Sequence, residues 1–265
     1  MEPEKILNYV IRTAKDAGNI IRNNIGKISA SDIEKKGLND FVTTIDKESE
    51  SLIIRSLKKL LPEAGFIAEE NDTLKTEKEY NWIIDPLDGT TNFIHSFFPC
   101  AVSIGLQKND EIILGVVYEI GFDECFYAYK NGGAYLNGNR INVSDKKNFS
   151  DSLLATGFPY HEFNRLDKYI ELLKFLTENT QGIRRLGSAA TDLAYVACGR
   201  FDGFYEYDLK PYDVAAGIII VKEAGGKISD FKGTDNYLFG KEIVASNKLI
   251  FEDFITIVNN FMNNR

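Results

Sequence analysis

The most informative stretch of the sequence runs from residue 82 to residue 93 and reads Trp82-Ile83-Ile84-Asp85-Pro86-Leu87-Asp88-Gly89-Thr90-Thr91-Asn92-Phe93. Its apolar start predicts a strand. Asp85 and Asp88 lie three residues apart on the turn that leaves this strand, so both carboxylates can point into one small volume. Gly89, Thr90 and Thr91 can open a helix, whose free N–H groups suit phosphate oxygens. Because Mg²⁺ takes carboxylate and carbonyl oxygens, this one turn offers both halves of a metal-assisted phosphoryl site.

Length, composition and charge limit the kind of protein and the kind of ligand to which this turn can belong. The chain has 265 residues, of which 44% are hydrophobic, enough for one large domain or two modest halves that share a core. A net charge of −8 provides no general basic field for nucleic acid or anionic membranes, and neither partner is expected. An anionic substrate would have to be held by local metal ions, backbone dipoles and a few positive side chains.

Cysteine usage and the N-terminus bear on the compartment. The chain has three scattered cysteines, Cys100, Cys125 and Cys198, with no CxxC pair, which favours a reducing, cytoplasmic setting. The charged start, Met1 to Lys5, leads into an amphipathic segment, and no run of about 18 apolar residues occurs. The sequence therefore predicts neither secretion nor membrane insertion.

The order of predicted elements indicates a layered fold. Apolar residues at helical spacing predict helices over 4–24 and 44–61, and the polar segment Ser29–Asn39 between them is typical of a mobile loop. Strands are predicted over 65–68, 82–84, 101–107, 111–120 and 124–130, and the last three form an antiparallel meander. Beyond a joint near Val143–Asp151, strands (152–156, 183–186, 203–207) alternate with helices (165–178, 188–198, from Pro211 to before Gly225, 250–262). This order predicts an α/β architecture with mixed sheets, divided into halves 1–145 and 146–265.

Two hard cations require more oxygens than one turn supplies, and three further places offer them. Glu69 and Glu70 follow the apolar run 65–68, Asp213 follows Pro211 in a first helical turn, and Asp46 follows Thr43 and Thr44. Each has a structural alternative. Asp46 and Asp213 also suit helix N-termini, and paired glutamates are commonly a surface feature. The 85–89 turn is itself built of ordinary turn formers.

The ordered combination of these motifs is more specific than any one of them. The chain resembles the inositol monophosphatase family at Asp40-Phe41-Val42-Thr43-Thr44-Ile45-Asp46, Ala68-Glu69-Glu70, Trp82 to Phe93, Pro211-Tyr212-Asp213-Val214-Ala215-Ala216-Gly217 and Glu223-Ala224-Gly225-Gly226. The resemblance runs essentially from end to end. It implies a layered αβαβα sandwich with mixed, largely antiparallel sheets, and hydrolysis of a phosphate monoester with two or three Mg²⁺ ions per site.

The resemblance also implies roles for residues of this sequence. The implied metal ligands are Glu69, Asp85, the carbonyl of Leu87, Asp88 and Asp213. Glu69, Thr90 and Asp46 are the implied catalytic residues, and Thr90 with Asp46 behind it positions the attacking water. The implied substrate contacts are Asp88, Gly89, Thr90, Thr91, Gly187, Ser188, Ala189, Glu206 and Asp213. The family further suggests a homodimer, lithium sensitivity and a mobile segment at Lys35 to Gly37, although a merely solvated loop fits those residues equally well.

The substrate that these residues favour is myo-inositol 1-phosphate or a close polyol phosphate. Phosphatases for fructose 1,6-bisphosphate, 3′-phosphoadenosine nucleotides or histidinol phosphate are alternatives within the superfamily, and a noncatalytic binding module is an alternative outside it. Tyr212 stands where a tryptophan is common in the family, which leaves the choice of substrate open. Arg184 and Arg185 either hold an anion, stabilise a subunit contact or lie at the surface. His95 is expected to lie outside the catalytic group.

Overall fold

The computed structural model describes residues 3–29, 32–37, 40–70 and 78–263. The helices are α1 (Pro3–Asn24), α2 (Thr44–Leu60), α3 (Thr90–Ile94), α4 (Leu166–Asn179), α5 (Ala189–Ala197), α6 (Pro211–Glu223) and α7 (Phe251–Met262). The strands are β1 (Ile33–Gly37), β2 (Asp40–Thr43), β3 (Gly65–Ala68), β4 (Tyr80–Asp88), β5 (Ala101–Lys108), β6 (Glu111–Glu119), β7 (Glu124–Tyr129), β8 (Gly133–Leu136), β9 (Asn139–Ile141), β10 (Leu153–Thr156), β11 (Gly182–Arg184), β12 (Gly203–Tyr207), β13 (Gly226–Ser229) and β14 (Glu242–Asn247).

Two large sheets organise the molecule. The first has seven strands in the order β3-β4-β5-β6-β7-β8-β9, with β3 parallel to β4 and every other pair antiparallel. The second has the order β11-β10-β12-β14-β13, in which β10 runs parallel to both β11 and β12. The predicted meander is confirmed. Its last hairpin turns on Asn137 and Gly138, both with positive φ as a two-residue type I′ turn requires.

Helices separate and cover the sheets to give five layers. Helices α1 and α2 pack on the outer face of the seven-stranded sheet, α5 and α6 lie between the sheets, and α4 and α7 cover the five-stranded sheet. Alternation along β4 divides the core accordingly, since Trp82 and Ile84 face α1 and α2 whereas Ile83 faces the central helices. The predicted αβαβα sandwich with mixed, largely antiparallel sheets is therefore confirmed.

The predicted loop over Ser29–Asn39 is wrong for part of its length. Residues 33–37 form strand β1, which pairs antiparallel with β2 in a two-stranded ribbon leading directly into α2. The segment Ile33-Glu34-Lys35-Lys36-Gly37 has no apolar alternation, so backbone pairing with β2 rather than its residue pattern marks it as a strand. Residues 30, 31, 38 and 39 of the predicted loop lie outside the described residues.

The division into halves at residue 145 stays a prediction. Residues 142–148, where the joint was expected, have no regular secondary structure. The central core draws on both halves, with Ile83 and Val117 from one and Leu193, Val214 and Phe204 from the other.

Candidate active site

The 85–89 turn is formed by an irregularity at the end of β4. Asp85 pairs with Ser103 and Asp88 with Ala101, so β4 carries one residue more than β5 between these two pairs. Pro86 has no N–H for the ladder, and the N–H of Leu87 is donated to Oδ1 of Asp85 at 2.9 Å. Such a bulge redirects side chains that would otherwise continue the strand alternation.

Gly89 makes the backbone reversal after the turn possible. Its φ of +94° lies in the left-handed region that favours glycine. A Cβ there would also lie 3.1 Å from the carbonyl oxygen of Pro99 and 3.2 Å from that of Gly187. The close approach joins the 85–89 turn to the segment before α5, which belongs to the other half of the chain.

Asp46 is held at the start of α2 with its two oxygens in different contacts. Oδ2 accepts hydrogen bonds from the backbone N–H of Thr43 at 2.9 Å and from the Thr43 hydroxyl, which completes a capping box. Oδ1 accepts from the Thr90 hydroxyl at 3.0 Å. The capping and catalytic interpretations of Asp46 are therefore compatible, because each uses a separate oxygen.

The C-terminal half brings α5 and α6 to the same turn. Oδ2 of Asp88 accepts from Ser188 Oγ at 2.6 Å and from the backbone N–H of Ala190 at 2.7 Å. Asp213 sits in the first turn of α6, where its Oδ2 accepts from the backbone N–H of Lys210 at 2.7 Å. Asp213 thus also acts at a helix start while its other oxygen remains available to the cleft.

These elements surround an open cleft with a cavity volume of about 150 Å³. Every metal or substrate residue inferred from the sequence lines it: Glu69, Asp85, Leu87, Asp88, Gly89, Thr90, Thr91, Gly187, Ser188, Ala189, Glu206 and Asp213. Asp46 does not line the cleft and reaches it through Thr90. The structure therefore brings together residues that are spread along the sequence from Asp46 to Asp213.

Burial disfavours the ionised form of the cleft aspartates, and neighbouring carboxylates add to this effect for Asp85 and Asp213. Burial raises the pKa of Asp85 well above its ordinary value, and the charges of Glu69, Asp88 and Asp213 raise it further. Burial likewise raises the pKa of Asp88 to about 6, against the opposing effect of its hydrogen bonds from Ser188 and Ala190. The pKa of Asp213 rises to about 8, first through burial and then through the charge of Asp88. Such mutual repulsion is relieved when a cation enters.

The donor set suits a hard, partly hydrated cation. Within the described ranges, no three Asp, Glu, His or Cys side chains converge into a compact cage around one point. Mg²⁺ keeps several waters and takes one or two carboxylates together with substrate phosphate oxygens. Carboxylates spaced around an open cleft fit that coordination.

Sequence reasoning missed several residues of the cleft, among them Gly157, Tyr160, His161, Asp208 and Lys210. Asp208 Oδ2 accepts from the backbone N–H groups of Tyr160, His161 and Glu162 at 3.0, 2.7 and 3.1 Å. The only local signal for this arrangement was Asp208 at the end of a predicted strand, and no spacing rule connects it to residue 160.

Arg184, Arg185 and His95 differ in their position relative to the cleft. Arg185 lines the cleft and donates to the Tyr160 hydroxyl at 2.9 Å, whereas Arg184 is exposed outside it. His95 is exposed and does not line the cleft, as expected. Lys35 is exposed on β1, and the exposure of Lys36 and Gly37 lies outside what the structure describes.

Comparison with known proteins places this fold and cleft in a family. The model of the inositol monophosphatase family matches residues 2–262. The Escherichia coli K12 protein named Nus factor SuhB is 44% identical over 243 residues, which is 91% of each chain. The chain belongs to the inositol monophosphatase family.

Two solved structures support the same placement. The extragenic suppressor protein suhB of Bartonella henselae has a TM-score of 0.91 and 36% identity, covering 96% of this chain and 98% of that one. The IMPase of Thermotoga maritima has a TM-score of 0.89 and 34% identity, covering 98% and 99%. Family membership supports a phosphatase that acts on a small molecule.

Proposed function

We propose that this protein is a Mg²⁺-dependent phosphomonoesterase that hydrolyses myo-inositol 1-phosphate, or a closely related inositol or polyol monophosphate, to the alcohol and phosphate. The observation that carries the proposal is that three acidic side chains lie in the same cleft as a hydroxyl group that donates a hydrogen bond to a fourth carboxylate. Asp85, Asp88 and Asp213 line one cleft beside Thr90, whose hydroxyl donates to Asp46. These are the components that a phosphate monoester requires for charge neutralisation and for activation of water.

We assign the metal-binding role to the acidic wall of the cleft. Two or three Mg²⁺ ions would be held by Glu69, Asp85, the Leu87 carbonyl, Asp88 and Asp213. When bound, Mg²⁺ supplies the positive charge that neutralises the phosphate oxygens and the charge developing on the leaving oxygen. Ser188 and the Ala190 N–H hold one oxygen of Asp88, so this side chain approaches the cleft in a fixed orientation.

The remaining residues of the chain act on the water and the substrate. Thr90 donates its proton to Asp46 Oδ1 or to the Leu87 carbonyl at 3.1 Å, so the lone pairs of its oxygen face the cleft as acceptors for the attacking water. Backbone N–H groups at Gly89, Thr90 and Thr91 would contact the phosphate. Gly187, Ser188, Ala189 and Glu206 would contact the hydroxyls of the leaving group.

Glu206 is the strongest determinant of the preferred alcohol. Its carboxylate is buried, and Gly157 lies so near that a Cβ there would meet Oε1 at 2.0 Å. Glu206 lines the cleft, where its carboxylate oxygens can accept hydrogen bonds from substrate hydroxyls. A hydroxyl-rich ring is consequently preferred to an apolar leaving group.

Phosphate release tests the proposal. Purified protein is incubated with inositol 1-phosphate, glycerol 2-phosphate, fructose 1,6-bisphosphate and adenosine 3′,5′-bisphosphate, each with Mg²⁺ and with chelator. We expect Mg²⁺-dependent release that is fastest from inositol 1-phosphate. A preference for either bisphosphate would favour the alternative phosphatases of the superfamily. Absence of release from all four would favour a noncatalytic module.

The relatives named Nus factor SuhB favour a second candidate, the role of a Nus factor. Such a role would not require hydrolysis, so the two candidates are separable. The test is whether wild-type protein and an Asp88→Asn variant can each replace the Escherichia coli relative in the cell. Replacement by both would support a Nus factor role independent of the active site. Replacement by the wild type alone would tie the cellular role to the cleft.

We also propose a homodimer, for which an exposed aromatic patch provides support. Phe97 and Phe122 are 61% and 73% exposed, and the ring of Phe98 packs against Gly121 between them. Exposed apolar patches commonly mark protein contacts. Light scattering should give twice the chain mass for the wild type and a smaller mass for Phe122→Ser. A monomeric wild type would contradict the proposal.

We propose a reducing, cytoplasmic compartment on the basis of the cysteines. Cys100 and Cys125 are buried, Cys198 is partly buried, and all three are free thiols. No helix within the described residues combines the length and the apolar character that crossing a membrane demands.

A further inference from the structure

Helix α2 buries two polar side chains that the proposed reaction does not use. Ser49 and Glu50 follow Asp46 by three and four residues, so all three share one face of the helix. Asp46 and Ser49 are 0% exposed and Glu50 is 3% exposed. Farther along the same face, Ile53 and Leu57 are buried and apolar. The buried face of α2 therefore changes from apolar to polar toward its start, where Asp46 contacts Thr90.

Glu50 is attached to the end of β3. Its Oε2 accepts a hydrogen bond from the backbone N–H of Glu70 at 2.9 Å. Strand β3 ends at Ala68, and Glu69 still donates its N–H to the carbonyl of Ile84 at 3.3 Å. The peptide before Glu69 and the peptide after it are thus each held by a hydrogen bond. Burial of a carboxylate costs free energy unless the carboxylate is hydrogen-bonded. The hydrogen bond from Glu70 offsets part of that cost for Glu50.

Ser49 is attached to the end of β4, which is the neighbour of β3. Its Oγ donates to the carbonyl of Pro86 at 3.0 Å. That carbonyl belongs to the peptide between Pro86 and Leu87, directly after Asp85. The last residue of β3, Ala68, pairs in parallel with Ile84 of β4, so the residues that follow, Glu69 and Asp85, lie on neighbouring chain segments. Adjacent residues of α2 therefore hold the two strand ends that carry Glu69 and Asp85.

We propose that Glu50, assisted by Ser49, is a positioning residue that holds Glu69 at the distance from Asp85 required for Mg²⁺ binding. The inference rests on the proposed function, since it assigns Glu69 and Asp85 as metal ligands. Groups that orient metal ligands through hydrogen bonds commonly affect metal affinity by about 10- to 100-fold when mutated. Glu50 acts through a backbone N–H and does not itself need to touch metal or substrate.

Mg²⁺ titration followed by thermal unfolding tests this without any substrate. Glu50→Met keeps the side-chain length but removes the acceptor, and Glu50→Gln retains an acceptor oxygen. We expect Glu50→Met to raise the Mg²⁺ concentration for half-maximal stabilisation by about 10- to 100-fold. Its kcat at fixed Mg²⁺ should fall, with KM for the phosphate ester little changed at saturating Mg²⁺. Glu50→Gln should stay close to the wild type, and Ser49→Ala should shift in the direction of Glu50→Met by a smaller amount.

Matched controls come from the same helix. Glu48→Met and Ser51→Ala change the same residue types at exposed positions and should leave the Mg²⁺ dependence unchanged. A lower unfolding temperature of Glu50→Met with a wild-type Mg²⁺ dependence would overturn the inference, because only the fold would then depend on Glu50. Equal impairment of Glu50→Gln would also overturn it.

Two further outcomes separate this inference from the function on which it rests. If Glu50→Met does not fold, an unchanged Mg²⁺ dependence of both Glu50→Gln and Ser49→Ala overturns the inference, whereas a shift in Ser49→Ala supports it. If the wild type itself gains no stability from Mg²⁺, the metal-dependent function fails and the positioning role fails with it.

Discussion

Each oxygen of the Asp46 carboxylate makes a different contact, one with the α2 capping box and the other with Thr90. Asp88 and Asp213 follow the same principle, since one oxygen of each accepts hydrogen bonds from its surroundings. A carboxylate has acceptor sites for several donors, so a single side chain can be both oriented and functional. At the scale of residues, the structural and catalytic alternatives for these acids are therefore not exclusive.

Asp88→Asn and Asp213→Asn test the metal-binding role of single residues. Each change removes one negative charge from the acidic wall while it preserves size and an acceptor oxygen. We expect Mg²⁺-dependent phosphate release to fall by about 100-fold or more, because both side chains are assigned as metal ligands. Asp110→Asn, in the exposed turn between β5 and β6, is the control. Turnover like that of the wild type in either active-site variant would contradict the assignment of these residues as metal ligands.

A pair of variants separates the two contacts of Asp46. Thr43→Ala removes the cap hydroxyl and should lower the free energy of unfolding by about 1 kcal/mol while leaving most of the activity. Asp46→Asn offers only one oxygen to donors on both sides, so its kcat should fall by about 10- to 100-fold. Denaturant unfolding and steady-state kinetics measure the two effects. Equal loss of kcat in both variants would contradict the division of roles.

At the scale of elements, glycines place α6 unusually near the seven-stranded sheet. A Cβ at Gly115 would lie 2.6 Å from the carbonyl oxygen of Ala216, and one at Gly105 would lie 2.9 Å from the Cβ of Ala215. Gly105 faces Ala215 and Ala216, and Gly115 faces Ala216 and Ile219. Ala215 and Ala216 follow Asp213 by two and three residues. These contacts set the distance between α6 and the sheet close to Asp213. The same distance therefore determines how far Asp213 reaches into the cleft.

Gly115→Ala tests this helix–sheet contact. The added methyl group meets backbone, which cannot rotate away, so we expect a loss of about 1–3 kcal/mol in the free energy of unfolding. Because α6 must move outward, the Mg²⁺ concentration needed for half-maximal activity should also rise. Denaturant unfolding and a Mg²⁺ titration measure the two effects. A stable variant with unchanged Mg²⁺ dependence would show that the contact does not position Asp213.

At the scale of the whole molecule, the acidic cleft links stability to pH and to metal. In the metal-free protein the pKa values of Asp88 and Asp213 are raised to about 6 and about 8 from an ordinary value of 3.8. The folded protein therefore holds these protons more tightly than the unfolded chain. Their stabilising contribution is complete below the unfolded pKa and is lost as the pH rises through about 6 and then about 8.

Mg²⁺ should reverse this loss, because it binds the ionised carboxylates. We expect the rise in unfolding temperature on addition of Mg²⁺ to be larger at about pH 8.5 than at about pH 5.5. Thermal unfolding with Mg²⁺ and with chelator at the two pH values measures it, and Asp213→Asn should reduce the difference. A rise that is equal at both pH values would contradict the linkage.

Local features of this protein were predictable from consecutive residues. The bounds of α2, β12 and α6 follow from the Thr43 cap, a short Phe- and Tyr-rich run and Pro211, which act over a few positions. Strand β1 escaped prediction because its residues carry no apolar period. The inferred site residues came from matching motifs, whereas Asp208 belongs to no such motif and was found only through its contact with Tyr160.

The sequence by itself determined the family, the succession of helices and strands and the residue types needed for phosphate ester chemistry, because these depend on short-range order along the chain. The tertiary structure decided which of these residues lie close together in space. Packing of α5 and α6 between two sheets brings Ser188 to Asp88 across 100 positions and Asp213 to the same cleft, and α2 brings Glu50 to Glu70. Such contacts between distant residues depend on the distance between the layers of the fold. That distance is set by side-chain volume and close backbone contacts, which no local pattern encodes.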